Sequence, residues 1–153
     1  YLKTRMGHKF TIMVDDDVFS QSINIAKWNI YMVALADCTF FVFSYLMNEK
    51  NLKENSSKEI FLDIIEKEKN NGLSTEVHDE AKEIFLKRYE KIDFKKFYLE
   101  NSFEKSCRAL YDWAPVAEEL KILDEKIVLN SMRLKWNLIV DEFKNLTKKL
   151  YFS

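Results

Sequence analysis

Two glycines and one proline in 153 residues leave the chain little with which to build tight turns. Sheets and loop-rich folds need those residues where the backbone reverses, so their scarcity argues for an all-α chain with short connections. Two glycines also cannot form the glycine-rich loop that cradles a phosphate. The two cysteines, Cys38 and Cys107, sit in unrelated apolar contexts with neither metal-ligand spacing nor a redox pairing pattern. Both are expected to be reduced and buried, which suits an intracellular setting, cytoplasm or organelle interior. Histidine is equally scarce. His78 stands in the first turn of a predicted helix and is expected to be solvated, while His8 lies in a weakly patterned start. A di-metal carboxylate bundle requires Glu-x-x-His on two helices, and the chain has none. No serine or cysteine has the histidine and acid context of a nucleophile. The expectation is therefore no catalytic residue, no cofactor and no metal, and a chain that leans away from enzymatic activity.

An excess of one charge is missing too. The 24 basic and 25 acidic residues leave a net charge of −1, which supplies no electrostatic footprint for nucleic acid. The sequence opens on Tyr1, so it reads as a fragment or a processed form. Met6-Gly7 fits the letters of a myristoylation signal only if Met6 were the initiator, and five residues precede it.

Aromatics, by contrast, are plentiful: Phe, Tyr and Trp make up 14% of the chain. Phe, Tyr, Ile, Asn and Lys share AT-rich codons, so codon bias plus core packing explains that figure before any ligand does. At this length one helical domain, residues 1–153, with a real core is the simplest organisation. Residues 1–14 are expected to be weakly ordered or extended. Asp15-Asp16-Asp17 then initiates a helix by opposing the positive end of its dipole.

That helix runs from about 18 to 48 without a glycine or proline. Ser56 and Glu59 have capping-box spacing and open a second helix, which ends at Asn71-Gly72. Ser74 and Thr75 open a third, with Val77, Ala81, Ile84, Phe85 and Tyr89 on its apolar stripe. Residues 92–101 suit a single turn, and Asn101 with Glu104 starts another helix. The last helix is predicted over 115–150, its first turn set by Pro115. The fold class is thus an all-α bundle of five or six helices, with two long ones, about 18–48 and 115–150, forming the core. Leu129, Met132, Trp136, Ile139, Phe143, Leu146 and Leu150 make a heptad seam on the last helix. Leu120, Leu123, Ile127, Leu134 and Leu138 make a second apolar face, so its first half should be sandwiched.

Between Trp28 and Met47 the only formal charge is Asp37, which raises the question of a membrane span. Eight strongly apolar residues each contribute roughly −0.3 to −0.6 kcal/mol to insertion, and a central Asp costs roughly +2.5 to +3.5 kcal/mol. The sums nearly cancel, Asn29, Thr39 and Ser44 push further against insertion, and the ordinary amphipathic pattern of the other four helices favours a buried soluble helix. Asp37, Ser44 and Asn48 fall on one narrow polar line. A buried carboxylate needs a partner, and Arg108 and Arg133 are the candidates.

The function these features support is a non-enzymatic helical protein–protein interaction module, an accessory subunit or adaptor, taking a protein partner or forming a homo-oligomer. Its candidate interface is Phe143, Leu146, Leu150 and Tyr151, beside Lys144, Lys148 and Lys149. Two alternatives stand: a membrane-associated subunit with residues 28–47 in the bilayer, and a domain binding a lipid-like or aromatic ligand in an apolar pocket of Phe40, Phe41, Phe43 and Trp136.

Overall fold

The computed structural model describes residues 17–114 and 118–152, apart from the side chains of Phe19 and of residues 118–124. The expected extended segment at 1–14, the acidic pair Asp15-Asp16, His8, and the start at Pro115 lie outside that range. The described residues form an all-α bundle with no strand among them. Its five α-helices are α1 (Asp17–Glu49), α2 (Ser57–Glu68), α3 (Thr75–Tyr89), α4 (Glu104–Trp113) and α5 (Glu118–Leu146). Short 3₁₀ turns at Lys69–Asn71 and Phe97–Leu99 complete the connections.

The helix ends follow local chemistry. Ser74 accepts a hydrogen bond from the Val77 amide and so caps α3. Gly72 adopts φ +96° after the turn at Lys69–Asn71, a left-handed conformation that only glycine takes freely. The expected capping box at Ser56 does not form. Its side chain makes no cap bond, and Asn55 Oδ1 instead accepts from both the amide and the hydroxyl of Ser57. Asx-type side chains compete well for the same orphan donors.

α1 is the spine. Trp28, Met32, Ala36 and Phe40 recur every four residues and face α2 and α3, meeting Phe61, Ile65, Leu73, Ala81 and Phe85. Phe85 is the middle of three stacked rings, 3.8 Å from Phe61 and 4.7 Å from Phe40 between centroids. A second face of α1, carrying Phe41 and Tyr45, packs on Phe103 before α4 and on Trp136, Val140 and Phe143 of α5. Two opposed buried faces on one helix explain why residues 28–47 hold so little charge.

α5 departs from the heptad expectation. Its inward line is Leu129, Trp136, Val140, Phe143 and Thr147, whereas Ile139 and Leu146 point to solvent. At about 100° per residue Ile139 falls about 60° to one flank of Trp136 and Val140 about 40° to the other, and the core covers the Val140 flank. The predicted sandwich is not seen among the described residues either, since Ile127, Leu134 and Leu138 are exposed.

The stripe on α3 is also rotated from its predicted position. His78, Ala81 and Phe85 are buried, Arg88 continues that line, and Ile84 is exposed. The expectation of a solvated His78 is therefore overturned: its Nε2 lies 3.1 Å from Glu66 Oε2 on α2 and its Nδ1 lies 2.8 Å from Asp79 Oδ1. The physical reason is the side of α3 that α2 covers.

Candidate functional site

The narrow polar line on α1 is used at every position. Asp37 has no exposed surface. Arg88 Nη2 donates to its Oδ1 at 2.5 Å, while the Ser106 amide and hydroxyl donate to Oδ2 at 2.9 and 2.5 Å. One carboxylate thus ties α1 to α3 and to the first turn of α4. Two helical turns further on is Ser44, also fully buried. Its hydroxyl donates to the Phe94 carbonyl and accepts from the Tyr98 amide. Asn48 donates to the same Phe94 carbonyl at 2.8 Å. This polar ladder positions the loop between α3 and α4, whose Phe94 and Phe97 then pack edge-on against Phe40.

The partner of Asp37 is therefore Arg88, not Arg108 or Arg133. Arg108 pairs with Glu125 at 2.7 Å, and Arg133 grips both oxygens of Glu104 at 3.0 and 2.7 Å. Both arginines clip α4 to α5 near the surface, where solvent screens such pairs. Spacing could have singled out Arg88, because it follows His78, Ala81 and Phe85 at intervals of three, four and three. Ser106 left no comparable signal. The arrangement around Asp37 holds three helices together: one carboxylate carries an ion pair and two further hydrogen bonds in the interior.

A cleft of about 270 Å³ lies between α4 and α5. Phe41, Phe103 and Trp136 form its apolar wall, with Arg133, Asn137 and Lys144 along the α5 side. The Trp136 ring stacks on Phe103 at 4.3 Å, and its Nε1 is the one buried side-chain polar atom without a partner among the described residues. Of the four residues predicted to line an apolar pocket, Phe41 and Trp136 lie on this cleft. Phe40 is sealed between α1 and α3 against Phe85, and Phe43 is buried away from the cleft lining. The disagreement comes from helix geometry: neighbouring aromatics in sequence point about 100° apart on a helix.

The candidate interface at the end of α5 is split. Phe143 packs on Phe41 and Tyr45 at 5.8 and 5.6 Å, whereas Leu146, Leu150 and Tyr151 are exposed. Tyr151 accepts a hydrogen bond from Asn51, and the Phe152 amide donates to the Lys50 carbonyl, so the chain end is tied to the end of α1. Further back on α5, Ile127, Leu134 and Leu138 form a line of exposed apolar side chains opposite the buried face.

Burial pushes the thiols of Cys38 and Cys107 up to about 11, with the neighbouring Asp37 adding to the effect at Cys38 and Glu104 at Cys107. Neither is activated as a nucleophile. No group of three or more histidine, cysteine, aspartate or glutamate side chains suited to a metal exists among the described residues. Ser20–Glu49 within α1 is long and apolar enough to cross a membrane, and half of its most apolar window is buried against the other helices. No family model, no curated protein and no solved structure matches the chain.

Proposed function

We propose that this chain is a non-catalytic interaction module, an adaptor or accessory subunit, which docks a protein partner along the outer face of α5. The observation that carries the reading is the line of Ile127, Leu134 and Leu138, which are 59%, 63% and 62% exposed. Spacings of seven and four residues place all three on one side of the helix, and Ile139 and Leu146 extend the apolar surface beside them. Scattered single apolar residues on a surface need no explanation, but an aligned set does. The buried side of the same helix is already satisfied by Phe103, Phe41 and Tyr45, so among the described residues the outer line has no part in the core. An apolar helix face of this kind suits an amphipathic helix from another chain, read at i, i+4 and i+7 anchor positions.

The test is a double substitution, Leu134→Glu with Leu138→Glu. Both side chains are exposed, so the helical circular dichroism and the melting temperature should stay close to wild type. Light scattering behind size exclusion, and capture of a stoichiometric partner by the tagged chain, should each show an association that the double variant loses. A wild-type chain that remains monomeric and captures no partner saturably would end this reading. Retention of the complex by the variant would end it as well.

A further inference from the structure

α1 and α5 finish at the same end of the bundle. Beyond Leu146 the Thr147 hydroxyl donates to the Phe143 carbonyl, and the turn that follows brings the Phe152 amide to the Lys50 carbonyl at 2.8 Å. Asn51 donates to the Tyr151 hydroxyl at 2.6 Å, and Lys50 Nζ donates to the Lys148 carbonyl at 3.4 Å. These contacts gather Lys50, Lys53, Lys144, Lys148 and Lys149 at one place. Among them Leu146 and Tyr151 stand in solvent, each 72% exposed. We propose that this end of the bundle binds the surface of an anionic phospholipid bilayer, with the lysines at the headgroups and Leu146 and Tyr151 entering the interface. The contact is peripheral: α1 keeps its packing within the bundle, and the outer line of Ile127, Leu134 and Leu138 takes no part.

Charge points to an anion. Over residues 49–54 and 144–152 five lysines stand against two acids, Glu49 and Glu54, a net charge of 5 − 2 = +3. The whole chain carries −1, so the remainder carries −1 − 3 = −4, and the positive charge is concentrated at this end. Glu49 is engaged by the Tyr98 hydroxyl, at 2.6 Å. The carbonyl ends of α1 and α5 oppose the lysines with about half a negative charge each. They account for about one of the three positive charges and leave about two. The apolar side chains narrow the partner further. A tyrosine ring in solvent, with its hydroxyl tied back to Asn51, has the apolar body and polar tip that suit headgroup level. Lysines beside exposed apolar tips make a peripheral membrane contact, in which basic residues and inserted side chains both add to binding. An acidic protein segment would answer the lysines too, so a soluble polyanion belongs in the test.

Co-sedimentation with vesicles tests this. The wild-type chain should bind saturably to phosphatidylcholine vesicles containing about 40% phosphatidylserine in about 0.1 M NaCl, and about 1 M NaCl should release it. Pure phosphatidylcholine vesicles should leave it in the supernatant. Lys148→Gln with Lys149→Gln should weaken binding about 25-fold, at about fivefold for each lysine near an anionic surface. Leu146→Ser should weaken it about tenfold, the loss expected for one inserted apolar side chain. The neutral pair Leu134→Gln with Leu138→Gln should bind vesicles as the wild type does, which separates this contact from protein docking on the outer face of α5. Absence of binding to the anionic vesicles overturns the proposal. Equal binding to pure phosphatidylcholine overturns it as well, because that result would report apolar insertion of α1. Unchanged binding by the lysine pair or by Leu146→Ser, or loss of binding in the outer-face pair, would also overturn it. Capture by soluble poly-glutamate without vesicle binding would assign the lysines to an acidic protein segment instead. The wild-type vesicle comparison needs no variant, so it decides the matter even where a substituted chain fails to fold.

Discussion

Asp37→Ala removes a carboxylate that accepts from Arg88 Nη2 and from the amide and hydroxyl of Ser106. Alanine leaves the Arg88 guanidinium, whose side chain is 15% exposed, without its counter-ion beside the Phe40 ring. It also leaves the Ser106 amide unpaired in the interior. Removing one partner of a buried pair costs roughly 3–5 kcal/mol, against a total stability of about 5–15 kcal/mol for a domain. In a chain of this length each kcal/mol moves the midpoint by about 2–4 °C, so the loss should lie between roughly 6 and 20 °C. Differential scanning calorimetry, supported by urea unfolding, measures it. Replacing both charges, as Asp37→Leu with Arg88→Met, should recover the part of the deficit that comes from the unpaired guanidinium, while the Ser106 amide and hydroxyl still lack their acceptor. The coupling energy from the complete double-mutant cycle should exceed about 1 kcal/mol. A shift under about 3 °C for Asp37→Ala, or a cycle that closes additively, would refute the role assigned to this pair.

Phe85→Ala should cost about 3–5 kcal/mol in urea unfolding, because Phe61 and Phe40 both stack on that ring and cannot close the gap. Leu146→Asp should leave the melting temperature within about 2 °C of wild type, since this side chain is 72% exposed; global unfolding would place it in the core. Thiols pushed up to about 11 carry about one thiolate in a thousand at pH 8, so Cys38 and Cys107 should react with a disulfide reagent far more slowly in the native chain than in urea. The hydrogen bonds from Arg133 hold the Glu104 carboxyl below its ordinary range. A depressed carboxylate contributes stability above its unfolded pKa of about 4.3 and loses it as pH falls through the folded value. Arg133→Gln should therefore melt below wild type at pH 6, with the gap closing at pH 2–3. The gap should be small, because the pair is nearly half exposed and screened.

Composition and periodicity were enough to set the all-α class, the long spine from Asp17 to Glu49 and the turn at Gly72, because these depend on local backbone preferences and on apolar spacing. The same local logic marked Asp37, Ser44 and Asn48 as one polar line, since three side chains seven and four residues apart must share a side of a helix. It also required a partner for Asp37, because a buried carboxylate cannot stand alone. Which of the 24 basic residues answers that need was a tertiary matter. Arg88 is 51 residues away and reaches Asp37 only because α3 crosses α1 at that level. Ser106 arrives from a third helix. Tertiary packing likewise decided which side of α3 is buried, turning His78 inward and Ile84 outward. On α5 it chose one apolar face for the core and left Ile127, Leu134 and Leu138 in solvent. Periodicity reports that a face is apolar; only the position of the neighbouring helices determines what covers it.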